Sequence, residues 1–200
     1  MCSVTLYRLE LEALYRDGVI VNEVLLDAIR HNSWASGQLV RFCRDQNFTA
    51  EQLKVTGVGT FGGILETLHH IITCDGSYLR RLADSTLLPW ADGSKPEADF
   101  DKLERSNEEA RLLWEDVLSQ PIDTERIIVV DDGTRACRAG IFIAQALNHA
   151  NHHREQVCAI LTGFGIEPPD IQAWEYAWHT ARIWDLPPAE TTSPATVASE

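Results

Sequence analysis

The stretch "LNHANHHREQV", residues 147–157, holds three of the chain's seven histidines, His149, His152 and His153. It sits inside a pattern of helical periodicity over residues 138–162, closed by Gly163 and Gly165. On an α-helix, residues four apart differ by roughly 40° around the axis. His149 and His153 form such a pair, one above the other, as two imidazoles must be to share one metal ion. His152 is turned roughly 100° away from His153. The His149/His153 stripe continues through Phe142 and Ala146 on one side and Gln156 and Ile160 on the other. It is partly apolar and therefore faces inward. A buried imidazole needs partners for its ring nitrogens, and a metal satisfies one. Core histidines bonded to backbone show the same spacing, so a third ligand elsewhere must separate the two readings.

Three further segments repeat apolar residues at helical spacing, over residues 21–42, 60–82 and 99–118. The third is charged on its opposite face, as a solvent-facing helix should be. The connection "ADSTLLPWADGSKPEA" contains Pro89, Gly93 and Pro96 and reads as a loop. In "PIDTERIIVVDDGTRACRAG", a β-branched run meets Asp131-Asp132-Gly133, which predicts a small hairpin before the last helix. Two long connections permit a crossover bundle. The aromatic segment "DIQAWEYAWHTARIW" should pack on the helices. Residues 1–19 read as an N-terminal extension and 20–180 as one helical domain. Residues 186–200, "LPPAETTSPATVASE", have the composition of a disordered tail.

Composition narrows the function classes. A chain of 200 residues with 44% apolar content can bury one sizeable core without staples. Its net charge of −13 repels phosphate backbones and disfavours nucleic acid as a partner. The apolar runs are too short to span a membrane, and the charged N-terminus lacks a signal peptide's apolar stretch. Five scattered cysteines indicate reduced thiols rather than a disulfide framework. These features together predict a cytoplasmic protein. No serine–histidine–aspartate or phosphate-cradling motif points to another chemistry.

The second helical segment, "ETLHHIITCD", offers His69 and His70 as a third ligand. His70 shares a stripe with Gly63, Thr67, Cys74 and Ser77, small or polar groups that leave room for an ion, whereas His69 falls nearer Leu65 and Ile72. The spacing prefers His70.

Three quoted pieces, in this order, resemble the DinB/YfiT-like superfamily of small metal-binding helical proteins. "IRHNSWASGQLVRFC" resembles its first helix, and "GGILETLHHIITCDGSYLRRL" its second, where the histidine matches His70 and an acidic residue five later matches Asp75. "LNHANHHREQVCAILTGFGIEPPDIQAWEY" resembles its most specific signature, H-x-x-x-H-R-x-Q followed by Gly-x-x-Pro and an aspartate. Glu155 departs from the small residue many relatives carry and changes only the helix surface. The resemblance covers residues 20–178. It implies an all-α four-helix bundle, up-down-down-up, with one divalent ion (zinc, nickel or iron) held by His70, His149 and His153. It also implies homodimers.

Three neutral imidazoles with an open position are the arrangement of a catalytic metal, acidifying water or activating a thiolate. Around the ligands, Asp75 is either an acceptor for an imidazole N–H or a helix-surface charge. Asn32 and Trp34 are candidates for the mouth of the site, and Gln145 and Gln156 for hydrogen bonds to the metal-bound water or for structural roles. Cys74 lies one turn beyond His70, in reach of the metal or simply packed. Arg154 is expected in an interhelical salt bridge, and His152 and His179 at the surface or in structural roles. The catalytic residues are not legible. Three classes of function stay open: a metal-dependent enzyme acting on a small molecule, as a thiol S-transferase using a low-molecular-weight thiol or as a hydrolase; a metal-binding stress or detoxification protein without turnover; and an interaction module braced by a structural metal.

Overall fold

The computed structural model describes residues 19–83, 88–91 and 99–186. The expected N-terminal extension lies outside the described residues except for its last position, and the expected tail except for its first. Among the described residues there are six α-helices: α1 (Val19–Asp45), α2 (Ala50–Leu53), α3 (Ile64–Ala83), α4 (Phe100–Leu118), α5 (Gly140–Gly163) and α6 (Ala173–His179). Strands β1 (Ile127–Val130) and β2 (Arg135–Arg138) form an antiparallel hairpin, paired from Ile127 with Arg138 to Val130 with Arg135. Its tight turn sets Asp131, Asp132 and Gly133 at positive φ, which an Asp-Asp-Gly sequence tolerates.

The four segments of helical periodicity become the four long helices, and local chemistry sets their ends. Asp99 caps α4, its side chain accepting from the Lys102 N–H. Thr49 and Gln52 form a reciprocal capping box around the short α2. That helix went unread in the sequence, although Thr-x-x-Gln is its recognised signature. A Cβ on Gly63 would lie 2.2 Å from the Leu53 carbonyl oxygen, so only glycine lets the end of α2 abut the start of α3.

Helix α1 packs on α4 and α5, and α3 on α4 and α5. The apolar residues fall into two clusters. One joins Ile29 of α1, Leu79 and Leu82 of α3, Trp114 and Leu118 of α4, and Phe142 and Ile143 of α5. The other joins Leu39 and Cys43 of α1, Ile64, Leu68 and Ile71 of α3, Leu103 of α4, and Val157 and Leu161 of α5. Between them along the chain lie the buried polar groups Asn32, Ser33 and Ser36 on α1 and Asp75 on α3, and Arg154 is buried on α5 within the span of the second cluster.

This polar layer corrects several expectations. Arg154 makes no salt bridge across to α1. Its Nη1 donates to the Asn32 backbone oxygen at 3.2 Å, Asn32 Oδ1 at 2.8 Å and Ser36 Oγ at 3.0 Å, all neutral acceptors. Burial lowers the guanidinium to about 10, with Asp75 opposing. Asn32 is thereby committed to Arg154 rather than to a site mouth. Asp75 is neither a surface charge nor an imidazole acceptor. One residue past Cys74, it turns roughly 100° into the interior, where Oδ2 accepts from Trp114 Nε1 at 3.0 Å. Burial raises its carboxyl from 3.8 to about 6, against the Trp114 bond and the Arg154 charge. Trp34 packs against Tyr176 and His179 of α6, with ring centroids 5.5 and 5.7 Å apart, because that face of α1 receives the aromatic segment.

The Trp114–Asp75 bond carries a pH-dependent prediction. A group whose folded pKa is raised adds stability below its unfolded value and loses it as pH rises through the folded value. Trp114→Phe removes the only side-chain donor seen on Asp75 among the described residues, raising that pKa further. Chemical unfolding should show a loss of about 2–4 kcal/mol, larger at pH 8 than at pH 5. A loss independent of pH would show that the missing indole volume, not the carboxylate, matters.

Candidate metal centre

Helix α3 presents His70, Cys74 and Tyr78 at intervals of four, one stripe along one face. Helix α5 sets His149 and His153 opposite, again four apart. The packing of α3 on α5 brings these stripes together across a large sequence separation. His70 Nε2 and His149 Nε2 stand 3.0 Å apart. Cys74 Sγ is 3.5 Å from His70 Nδ1 and 3.9 Å from its Nε2. Ligand atoms of His70, Cys74 and His149 all lie within 4.8 Å of one another. All three side chains are half-buried.

His153 completes a histidine cluster. Its ring centroid is 4.5 Å from that of His149 and 4.8 Å from that of His70. It is not part of the 4.8 Å group; its Nδ1 turns to Gln156 Oε1 at 2.8 Å. Gln156 is oriented without ambiguity. Its Oε1 also accepts from the Phe61 backbone N–H at 3.0 Å, which can only donate, and its Nε2 donates to the Gly59 carbonyl at 3.0 Å, which can only accept. His153 Nδ1 must therefore carry the proton, and Nε2 keeps its lone pair for a ligand. The same carboxamide donates to His152 Nε2 at 3.1 Å, so the exposed His152 spends its lone pair on Gln156.

Phe61, in the loop between α2 and α3, covers the cluster. Its ring stacks on His70 at 3.9 Å and 11°, and meets His153 edge-on at 5.5 Å. Tyr78 closes the other end, edge-on to His149 at 5.8 Å, with Gln145 and Cys74 as polar neighbours. Sequence reading missed both aromatics. Tyr78, four residues past Cys74 on the same stripe, was within its reach; Phe61, in an aperiodic loop, was not.

The electrostatics favour neutral imidazoles. Burial first, then the His153 and His70 rings, lowers His149 to about 4. Burial, then His153 and His69, lowers His70. Burial raises the Cys74 thiol. Neutral imidazoles whose Nε2 atoms stand 3.0 Å apart either share one N–H or, with both protons on Nδ1, turn two lone pairs toward one another, the form that a shared cation takes. Tetrahedral zinc with bonds near 2.05 Å would separate its nitrogens by about 3.3 Å. The residues present fit a divalent ion. Asp75, Asn32 and Trp34 are engaged elsewhere, and His179 is an exposed neighbour of Trp34.

No helix among the described residues is long and apolar enough to cross a membrane. The model of the DinB family matches residues 21–190. No curated protein matches the chain.

Proposed function

Because the chain belongs to the DinB family, we propose that it binds one divalent metal ion, zinc, nickel or iron, through His70, His149 and His153, and uses it as a metal-dependent enzyme on a small molecule. The observation carrying this reading is the 3.0 Å approach of two half-buried imidazole nitrogens from α3 and α5. The scaffold we infer is a four-helix bundle, up-down-down-up, formed by residues 20–180. The membership of the two apolar clusters supports it: each joins one half of α1 and α5 to the opposite half of α3 and α4.

A bound divalent ion supplies positive charge that acidifies a thiol or a water. The chain's own residues prepare the place. Gln156 holds His153 in the tautomer that leaves Nε2 free. Phe61 shields His70 from water and gives the site an apolar wall. Tyr78 offers a phenol beside His149. An apolar wall with one polar group and an acidified nucleophile suits transfer of a low-molecular-weight thiol; hydrolysis uses the same donors with water. The working form we propose is a cytoplasmic homodimer without nucleic-acid or membrane partners.

The test is metal analysis of protein purified without a histidine tag, followed by thiol-transfer and hydrolase assays with and without a chelator. About one ion per chain and chelator-sensitive, thiol-dependent turnover are expected. Bound metal without turnover in either assay would leave a non-catalytic metal-binding protein.

A further inference from the structure

Three histidines leave a tetrahedral ion one position short, and the structure holds a donor beside it. Cys74 follows His70 by one helical turn, on the same face, and its sulfur is directed at the His70 ring rather than into either apolar cluster. The other described cysteines differ. Cys43 is fully buried among apolar residues, Cys158 packs against the same cluster, and Cys137 of β2 packs against the other cluster. Zinc–nitrogen bonds near 2.05 Å and a zinc–sulfur bond near 2.3 Å place nitrogen and sulfur about 3.6 Å apart in a tetrahedron. Cys74 Sγ lies 3.9 Å from His70 Nε2, the nitrogen that faces His149. The sulfur is nearer Nδ1, at 3.5 Å, and so flanks the ring; a change of the Cys74 side-chain torsion that carries it by about an ångström or more brings it to the position beyond Nε2.

We propose that Cys74 is the fourth ligand, making a three-histidine, one-thiolate centre in which the chain itself fills the position an external thiol or water requires. This inference rests on the metal-binding reading above and adds regulation to it. On binding, the sulfur–metal bond forms as the thiol proton leaves to solvent; nothing is oxidised or reduced. A soft thiolate beside three imidazoles selects zinc from the metals that nitrogen donors alone would admit. A small thiol must compete with Cys74, so the resting centre is capped against adventitious water and opens only to a better sulfur donor.

The experiment uses the full chain loaded with cobalt(II), which reports sulfur ligation by an intense near-ultraviolet charge-transfer band. A phosphine reductant keeps other thiols out. The wild type and Cys158→Ser should show the band, and Cys74→Ser should bind one cobalt without it. Cys74→Ala provides a second variant of different size should the serine fail to fold. Zinc affinity should fall by at least about tenfold in the Cys74 variants, the lower end of what even the outer partners of metal ligands contribute. Adding a small thiol to cobalt-loaded Cys74→Ala should restore the band. Cobalt bound by the wild type with no sulfur band, or a band that survives Cys74→Ser, overturns the fourth ligand and leaves the three-histidine reading intact. A wild type that binds no cobalt overturns both.

Discussion

His149→Ala is expected to lose the metal while His152→Ala keeps it. The two residues sit three apart in the same histidine-rich turn, yet their nitrogens have different fates. His149 Nε2 faces His70 Nε2 at 3.0 Å, whereas His152 Nε2 accepts from Gln156 and is exposed. Removing a direct ligand should weaken zinc by more than about 100-fold, beyond the range found for residues that merely orient ligands. His153→Ala should resemble His149→Ala. The measurement is zinc per chain after gel filtration, with helicity followed by circular dichroism. Both apo variants should stay helical, because the two apolar clusters are built without the site. Equal metal loss in His149→Ala and His152→Ala would contradict the angular argument.

The second large effect falls on stability. Arg154 lies next to His153 in sequence but points into the polar layer, 3% exposed. Arg154→Ala would strip partners from Asn32 and Ser36 and leave a cavity between α1 and α5. The cost should be about 3–5 kcal/mol, the range for breaking buried charged networks. For a domain of this size that is roughly a 10 °C fall in Tm. Arg154→Lys should recover only part of it, since the shorter ammonium must reach the same α1 acceptors, on Asn32 and Ser36, that Nη1 now serves. Metal per folded chain should stay unchanged in both. An unchanged Tm with lost metal would instead place Arg154 at the centre itself.

Much of this protein is written in local pattern. Helical spacing marks the four long helices, because an apolar stripe repeating every three or four residues has one way to leave water. The hairpin is marked by a β-branched run against Asp-Asp-Gly, residues that accept positive φ. His149 and His153 are neighbours by helix geometry alone, and His152 is set apart by the same angle. The start of α2 was equally legible in Thr49 and Gln52, through a capping box that depends on four consecutive residues.

Other features depend on which helix faces which, and spacing does not contain that. The choice of His70 over His69 became a distance only when α3 packed on α5. Asp75 follows Cys74 by one position, but its meeting with Trp114 depends on the approach of α4. Arg154 was expected to find a carboxylate; it found Asn32 and Ser36, because the face of α1 opposite it carries amide and hydroxyl groups. Phe61 covers His70 only because Gln156, far along the chain, holds its loop. Sequence by itself determined the helices, the hairpin and the paired histidines of α5, since those rest on contacts within a few residues. Tertiary structure decided which histidine of α3 faces His149, the place of Cys74 and the fate of the buried charges Asp75 and Arg154, since a side chain's partner on another helix is set by the packing of whole helices.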